Sequence, residues 1–261
     1  MKIAVISFSG NVGKTTIARH LLAPRMPGAK VVCVESINAA EGEDHVIRGR
    51  QFAELQEYLQ VVDDVIVDIG ASNVEELLAL MRRYRGSHED FDYFIVPTVP
   101  AGKQQQDTMA TLAELSRLGV PAHKVRLVFN MVEDGIDIER VFDPVLAFVR
   151  LSPVARVSLD CRLGINEIYG RVNGSDADLS ALAADSADYK SLIAAATDST
   201  ERLALAQRLA TRRLASGVVP ELDACFVALA LGADADTCDV AAVPPLAEAV
   251  SWIDPAPHAK R

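Results

Sequence analysis

Four cysteines, Cys33, Cys161, Cys225 and Cys238, lie far apart and form no CxxC pair. That spacing argues against a zinc site and a disulfide framework, and it suits structural thiols in a reducing cytoplasm. The five histidines are equally scattered, with no HExxH spacing, so no metal cage built wholly of protein ligands is encoded. Aromatic residues make up only 5% of the chain, although half of the 261 residues are hydrophobic. An alanine- and leucine-rich composition of this kind gives a helix-rich globular protein rather than a disordered one. Basic residues are outnumbered 26 to 36, for a net charge of −10. This argues against nucleic-acid binding over the whole surface and leaves room for a local basic patch. No apolar run approaches the roughly 20 residues that span a bilayer. The best, ACFVALALGA at 224 to 233, is far shorter, and no stable membrane insertion is expected. The opening MKIAVISFSG lacks the apolar core and cleavage site of a secretory leader and reads as a buried first strand, so a cytoplasmic protein is expected.

What is present is alternation. Runs of strand length and composition occur at KIAVIS (2 to 7), KVVCVE (30 to 35), DVIVDI (64 to 69), YFIVPT (93 to 98), VRLVFN (125 to 130) and ARVSL (155 to 159). Near-continuous Val and Ile runs predict strands covered on both faces, as in parallel sheets. Helical segments fall between them: one from Lys14, others over about 48 to 60, after Asn73, and over about 103 to 118 and 137 to 149. Asn73 with Glu76 resembles an N-cap and its reciprocal partner, and Gly119 followed by Pro121 closes a helix. The expected fold is a doubly wound, mainly parallel α/β sheet over residues 1 to 165. From 166 to 261 the strand signal vanishes, predicting a helical region packed on that domain or used in assembly. Its helices are expected at 200 to 216 and 221 to 231, with Gly217 and Pro220 as breaks, and one or two more turns at AEAVSWI.

The chemistry concentrates in FSGNVGKTT, residues 8 to 16. A strand, a loop with Gly10 and Gly13, and a helix opening at Lys14 form the context of a phosphate-binding loop, although Phe8 stands where G-x-x-x-x-G-K-[ST] wants its first glycine. Backbone N–H groups of Gly10, Asn11, Val12, Gly13 and the helix start suit phosphate oxygens. Lys14 would neutralise the β- and γ-phosphates, and the Thr15 hydroxyl would ligate Mg²⁺. Asp68 ends the apolar strand DDVIVDI, where a carboxylate serves Mg²⁺ directly or through water. Gly70, two residues on, could offer its N–H to the γ-phosphate.

The loop resembles that of the ParA/MinD superfamily of partition and positioning ATPases, whose pattern is G-K-G-G-x-G-K-T-T. Gly10, Gly13, Lys14, Thr15 and Thr16 match it, while Phe8 and Asn11 replace glycines. Ser9 stands at the signature lysine that reaches across a dimer to the partner's nucleotide. Within that resemblance Glu35 takes the place of an aspartate that orients the attacking water, with Asn38 as a weaker candidate nearby. Asn130, ending VRLVFN, takes that of an asparagine that bonds the purine edge. Glu133 sits at the spacing of a guanine-reading acid, but Met131 replaces the lysine of N-K-x-D, which favours adenine. The whole-chain pattern looks like the StbB-type plasmid stability proteins, a divergent branch of ParA-like ATPases. SFSGNVGKTTIARHLLAPR carries most of this, extended by FIVPTVPAGKQQQDTMATLAEL and VRLVFNMVE. The resemblance implies an ATP- and Mg²⁺-dependent switch, a homodimer, and a DNA-binding partner protein from the same operon. Arg202, Arg208, Arg212 and Arg213 share one helix and offer either a solvated face or weak, sequence-independent contact with DNA phosphates. Two alternatives stay open: a small-molecule kinase or ligase of the same fold, and a nucleotide-binding scaffold that does not hydrolyse.

Overall fold

The structure is a computed structural model and describes residues 1–34, 49–173, 175 and 177–232. Among these, six strands form one sheet: β1 (Lys2–Val5), β2 (Lys30–Cys33), β3 (Val65–Asp68), β4 (Tyr93–Thr98), β5 (Val125–Val132) and β6 (Arg162–Gly164). Their order is β2-β3-β1-β4-β5-β6 and every pairing is parallel. The doubly wound α/β architecture is thus the one that the alternation predicts.

Strand alternation splits the apolar residues between two faces. On one face Ala4, Ile6, Val65, Val67, Phe94, Val96, Val125 and Leu127 form a core with three helices: α2 (Gly49–Val61), α3 (Val74–Arg83) and α4 (Gly102–Leu118). Each helix supplies a stripe at helical spacing, such as Phe52, Leu55 and Leu59, or Val74, Leu77, Leu78 and Met81. On the other face Ile3, Val5, Ile66, Ile95 and Val128 meet the first helix and the C-terminal helices. The first helix begins as an α-turn, α1 (Lys14–Thr16), continues as a π-helix over Ile17–Leu22 and ends in a 3₁₀ turn, Ala23–Arg25. Past β5 come α5 (Ile138–Val141) and α6 (Asp143–Leu151). After β6 the chain is helical: α7 (Ile168–Val172), α8 (Leu179–Ala184), α9 (Tyr189–Ala195) and α10 (Ser199–Ala228).

Two arginines fasten α10 to the sheet domain. Arg25 forms a fork with Asp223 at 2.7 and 2.9 Å and also donates to the carbonyls of His20 and Leu21 at the end of the first helix. Arg126, buried on β5, donates to the Leu229 carbonyl at 2.7 Å and lies over the Tyr93 ring. Cations at helix C-termini satisfy carbonyls that have no partner within the helix.

Three local expectations are corrected. The sixth strand lies at Arg162–Gly164 rather than 155 to 159; ARVSL contributes only a single bridge from Arg156 to Arg126. The pairing of β6 with β5 is irregular between Phe129 and Val132, where Met131 has φ +55°. Phe129 instead donates to the Cys161 carbonyl at 2.8 Å, which draws the later segment into the sheet. Second, α10 runs unbroken through Gly217 and Pro220. Proline inside a helix costs a hydrogen bond, but Ala215, Val218, Leu222 and Cys225 are all buried against the sheet face, and that packing overrides the local preference. Third, Asn73 immediately precedes α3 without making a side-chain cap. The proposed turns at AEAVSWI, with Trp252, lie outside the described residues.

Candidate functional site

Adjacent strands β1 and β3 connect onward in opposite directions, β1 to β2 beyond β3 and β3 across β1 to β4. Right-handed crossovers then place the first helix on one face and α3 on the other, leaving a crevice at the strands' carboxyl ends. A cleft of about 600 Å³ lies there, lined by the loop from Gly10 to Thr16, by Asp68 and Gly70 after β3, and by Cys33 and Met131.

The loop owes its shape to two left-handed residues, Asn11 at φ +56° and Gly13 at φ +84°. Left-handed residues between right-handed ones curl successive N–H groups into an anion-binding concavity. At Gly13 glycine is required for a second reason: a Cβ there would lie 2.1 Å from Asn130 Nδ2. Lys14 is buried, and its Nζ donates to the Ser9 carbonyl at 2.8 Å, spanning the loop. The exposed Thr15 donates its hydroxyl to Asp68 Oδ2 at 2.6 Å. The hydroxyl and the carboxylate, fifty-three positions apart, thus meet as two hard oxygen donors. Such a pair fits Mg²⁺, which takes one or two protein oxygens and keeps several waters. Thr16 and Gly70 also line the cleft. Val12 turns its side chain into the core.

Asn130 lies behind the loop. Its side chain is buried at the end of β5 and donates from Nδ2 to the Val12 carbonyl at 2.9 Å. Met131, next to it, is the residue that reaches the cleft. Glu133 is exposed. Glu35 and Asn38 lie outside the described residues.

The departures at Phe8 and Ser9 have a common structural setting. Phe8 packs against the core on the α3/α4 face and is absent from the cleft lining. Its N–H donates to Thr111 Oγ1 at 3.2 Å. Ser9 is buried, and its hydroxyl bonds the Asp107 carboxylate. The stem of the loop is therefore tied to one turn of α4. Sequence reading missed Asp107 and Thr111. The one sign in the sequence is that Thr111 shares helical spacing with Leu112 and Leu115; the structure shows that this face buries Gln105, Thr108 and Thr111, and a buried polar residue calls for a partner.

The four arginines of α10 divide. Arg202 donates to the Ala196 carbonyl and Arg212 to those of Asp185 and Ala187, each closing a neighbouring helix or turn. Arg208 and Arg213 are exposed. No described helix is long and apolar enough to cross a membrane.

No family model matches the chain, and no curated protein does. Among solved structures it is similar to apo McdA of Cyanothece, at 14% identity over 80% of this chain and 98% of that one, with a TM-score of 0.47. It is also similar to the cell division ATPase MinD of Pyrococcus furiosus, at 16% identity, covering 80% and 97% of the two chains, with a TM-score of 0.45. A third similarity is to the septum site-determining protein MinD of Pyrococcus horikoshii complexed with Mg-ADP, at 14% identity, 84% and 95% coverage and a TM-score of 0.40.

Proposed function

We propose that the chain is a nucleotide switch that binds ATP with Mg²⁺ and hydrolyses it slowly, acting with a DNA-binding partner protein in plasmid stability, partition or transfer. One observation carries the nucleotide reading: Lys14, Thr15 and Asp68 converge on one cleft beneath a loop bent by left-handed residues at Asn11 and Gly13. A loop rich in amides with one lysine is built for a polyphosphate. The plasmid role and the partner rest on the resemblance of the loop and of the flanking segments.

In this reading the amides from Gly10 to Thr16 cradle phosphate oxygens and Lys14 supplies the neutralising cation. Thr15 and Asp68 would hold Mg²⁺, and the ion when bound would supply Lewis-acid neutralisation of phosphate charge. Gly70 follows Asp68 by two residues and offers its amide as the group that senses the terminal phosphate. Glu35 is the proposed orienter of water. Asn130 supports the loop from behind through its bond to Val12. With Ser9 bonded to Asp107 in place of a lysine, fast turnover would depend on a partner or on pairing of two copies around ATP. The same bond favours a second reading, a scaffold that binds nucleotide without hydrolysing it.

Calorimetric titration with ATP, with and without Mg²⁺, tests the site. Lys14→Ala is expected to abolish measurable binding while the far-ultraviolet circular dichroism is retained; unchanged affinity would remove the site assignment. Turnover assayed with and without the DNA-binding partner and DNA separates the readings: stimulation supports the switch, binding without turnover supports the scaffold, and turnover only with a metabolite indicates a kinase or ligase.

A further inference from the structure

Phe8 does more than fill core. With Leu78, Ala110 and Ala113 it forms the apolar lining of a second hollow, about 460 Å³, between α3 and α4. This volume is within the range of small-molecule sites, roughly 300 to 1,000 Å³. The two alanines hold it open, because larger side chains at those positions of α4 would occupy the space. The rim is charged and polarised. Arg82 from α3 and Arg117 from α4 bond different oxygens of Glu114. Two guanidinium groups on one carboxylate leave an excess positive charge, and the arginine side chains are 49% and 72% exposed, with most of their five N–H donors each not committed to Glu114. The opposing charge, Glu75, lies seven residues before Arg82 on α3, about 10 Å along the helix axis.

We propose that this hollow is a binding site for an amphipathic organic anion: an apolar, preferably aromatic, body lying on Phe8, Leu78 and the two alanines, with a carboxylate, sulfonate or phosphate at the Arg82/Arg117 end. Arginine pairs bind such groups through charge-assisted, often bidentate hydrogen bonds, and an aromatic body gains from offset or edge contact with the Phe8 ring. Glu75 repels an anion from the loop end, which fixes the orientation. The substitution of phenylalanine for the loop's leading glycine thereby acquires a use that the nucleotide site does not explain, and the proposal stands whether or not ATP binds.

The test is fluorescence titration of the full-length protein with 1-anilinonaphthalene-8-sulfonate, an aromatic body bearing one sulfonate. Saturable enhancement at one site is expected. Ala110→Trp, at an exposed position that opens into the hollow, is expected to weaken it at least tenfold by filling the space. Arg117→Glu, which reverses one rim charge, is expected to weaken it by about tenfold or more, the loss of a hydrogen bond to a charged group. The melting temperature of each variant confirms the fold. Unchanged affinity in both variants would overturn the proposal. So would equal affinity for N-phenyl-1-naphthylamine, which lacks the sulfonate. Loss of the enhancement in Lys14→Ala, a change that lies in the other cleft and not in this hollow, would assign the signal there and overturn it as well.

Discussion

Replacing Gly13 by alanine puts the loop geometry under a quantitative test. Gly13 has φ +84°, where an L side chain is strained by about 1 to 2 kcal/mol. The added Cβ would also lie 2.1 Å from Asn130 Nδ2, so the amide must move and release the Val12 carbonyl, with which it makes a 2.9 Å bond. Leaving a buried acceptor without its donor costs about 1 to 3 kcal/mol. The sum predicts a loss of about 2 to 5 kcal/mol in unfolding free energy. Urea denaturation followed by circular dichroism, without nucleotide, measures it. Gly10→Ala is the control, since no heavy atom lies within 4 Å of its built Cβ, and it should change stability by no more than about 0.5 kcal/mol. The decisive measurement is the double-mutant cycle with Asn130→Ala. With the amide gone, only the backbone strain should remain, so the two losses should fall short of additivity by about 1 to 3 kcal/mol. Strict additivity, or a Gly13→Ala loss below about 1 kcal/mol, would refute the packing of Asn130 beneath the loop.

Further outcomes are expected. Asp68→Asn should reduce the gain in ATP affinity that Mg²⁺ confers, read by titration at several Mg²⁺ concentrations; an unaltered Mg²⁺ dependence would take Asp68 out of the site. Cys33 lines the cleft, so its alkylation by a maleimide, followed by peptide mass spectrometry, should slow when ATP and Mg²⁺ are added. Cys161 and Cys225 are buried, and burial pushes the Cys161 thiol up to about 12 and raises that of Cys225 as well. Both should stay unmodified until the chain unfolds, and labelling of either at the rate of Cys33 would contradict the core packing. Hydrogen bonds from Arg82 and Arg117 hold the Glu114 carboxyl below its ordinary range. A carboxyl lowered by folding adds stability that is full above its unfolded pKa, about 4.3, and is lost as pH falls through the folded value. The stability difference between wild type and Glu114→Gln should therefore shrink as pH is lowered below that range, and a pH-independent difference would show that the ion pair contributes nothing.

The sequence by itself determined the α/β class, the strands up to β5 and the position of the loop. These depend on local pattern: uninterrupted Val and Ile runs such as Val65 to Val67, stripes at helical spacing, and contiguous residues from Gly10 to Thr16. Tertiary structure decided whatever joins distant positions. Ser9 meets Asp107 across 98 positions, and Asn130 meets Val12 across 118. No local propensity encodes such pairs; they form because parallel crossovers bring the carboxyl ends of β1, β4 and β5 side by side. The same holds for β6, joined to the sheet through the Phe129–Cys161 bond, and for α10, kept whole through Pro220 by the face it buries. Backbone preference is worth only a few kcal/mol even at proline, whereas each large apolar side chain buried against a sheet contributes about 1.5 to 3 kcal/mol, so several acting together prevail.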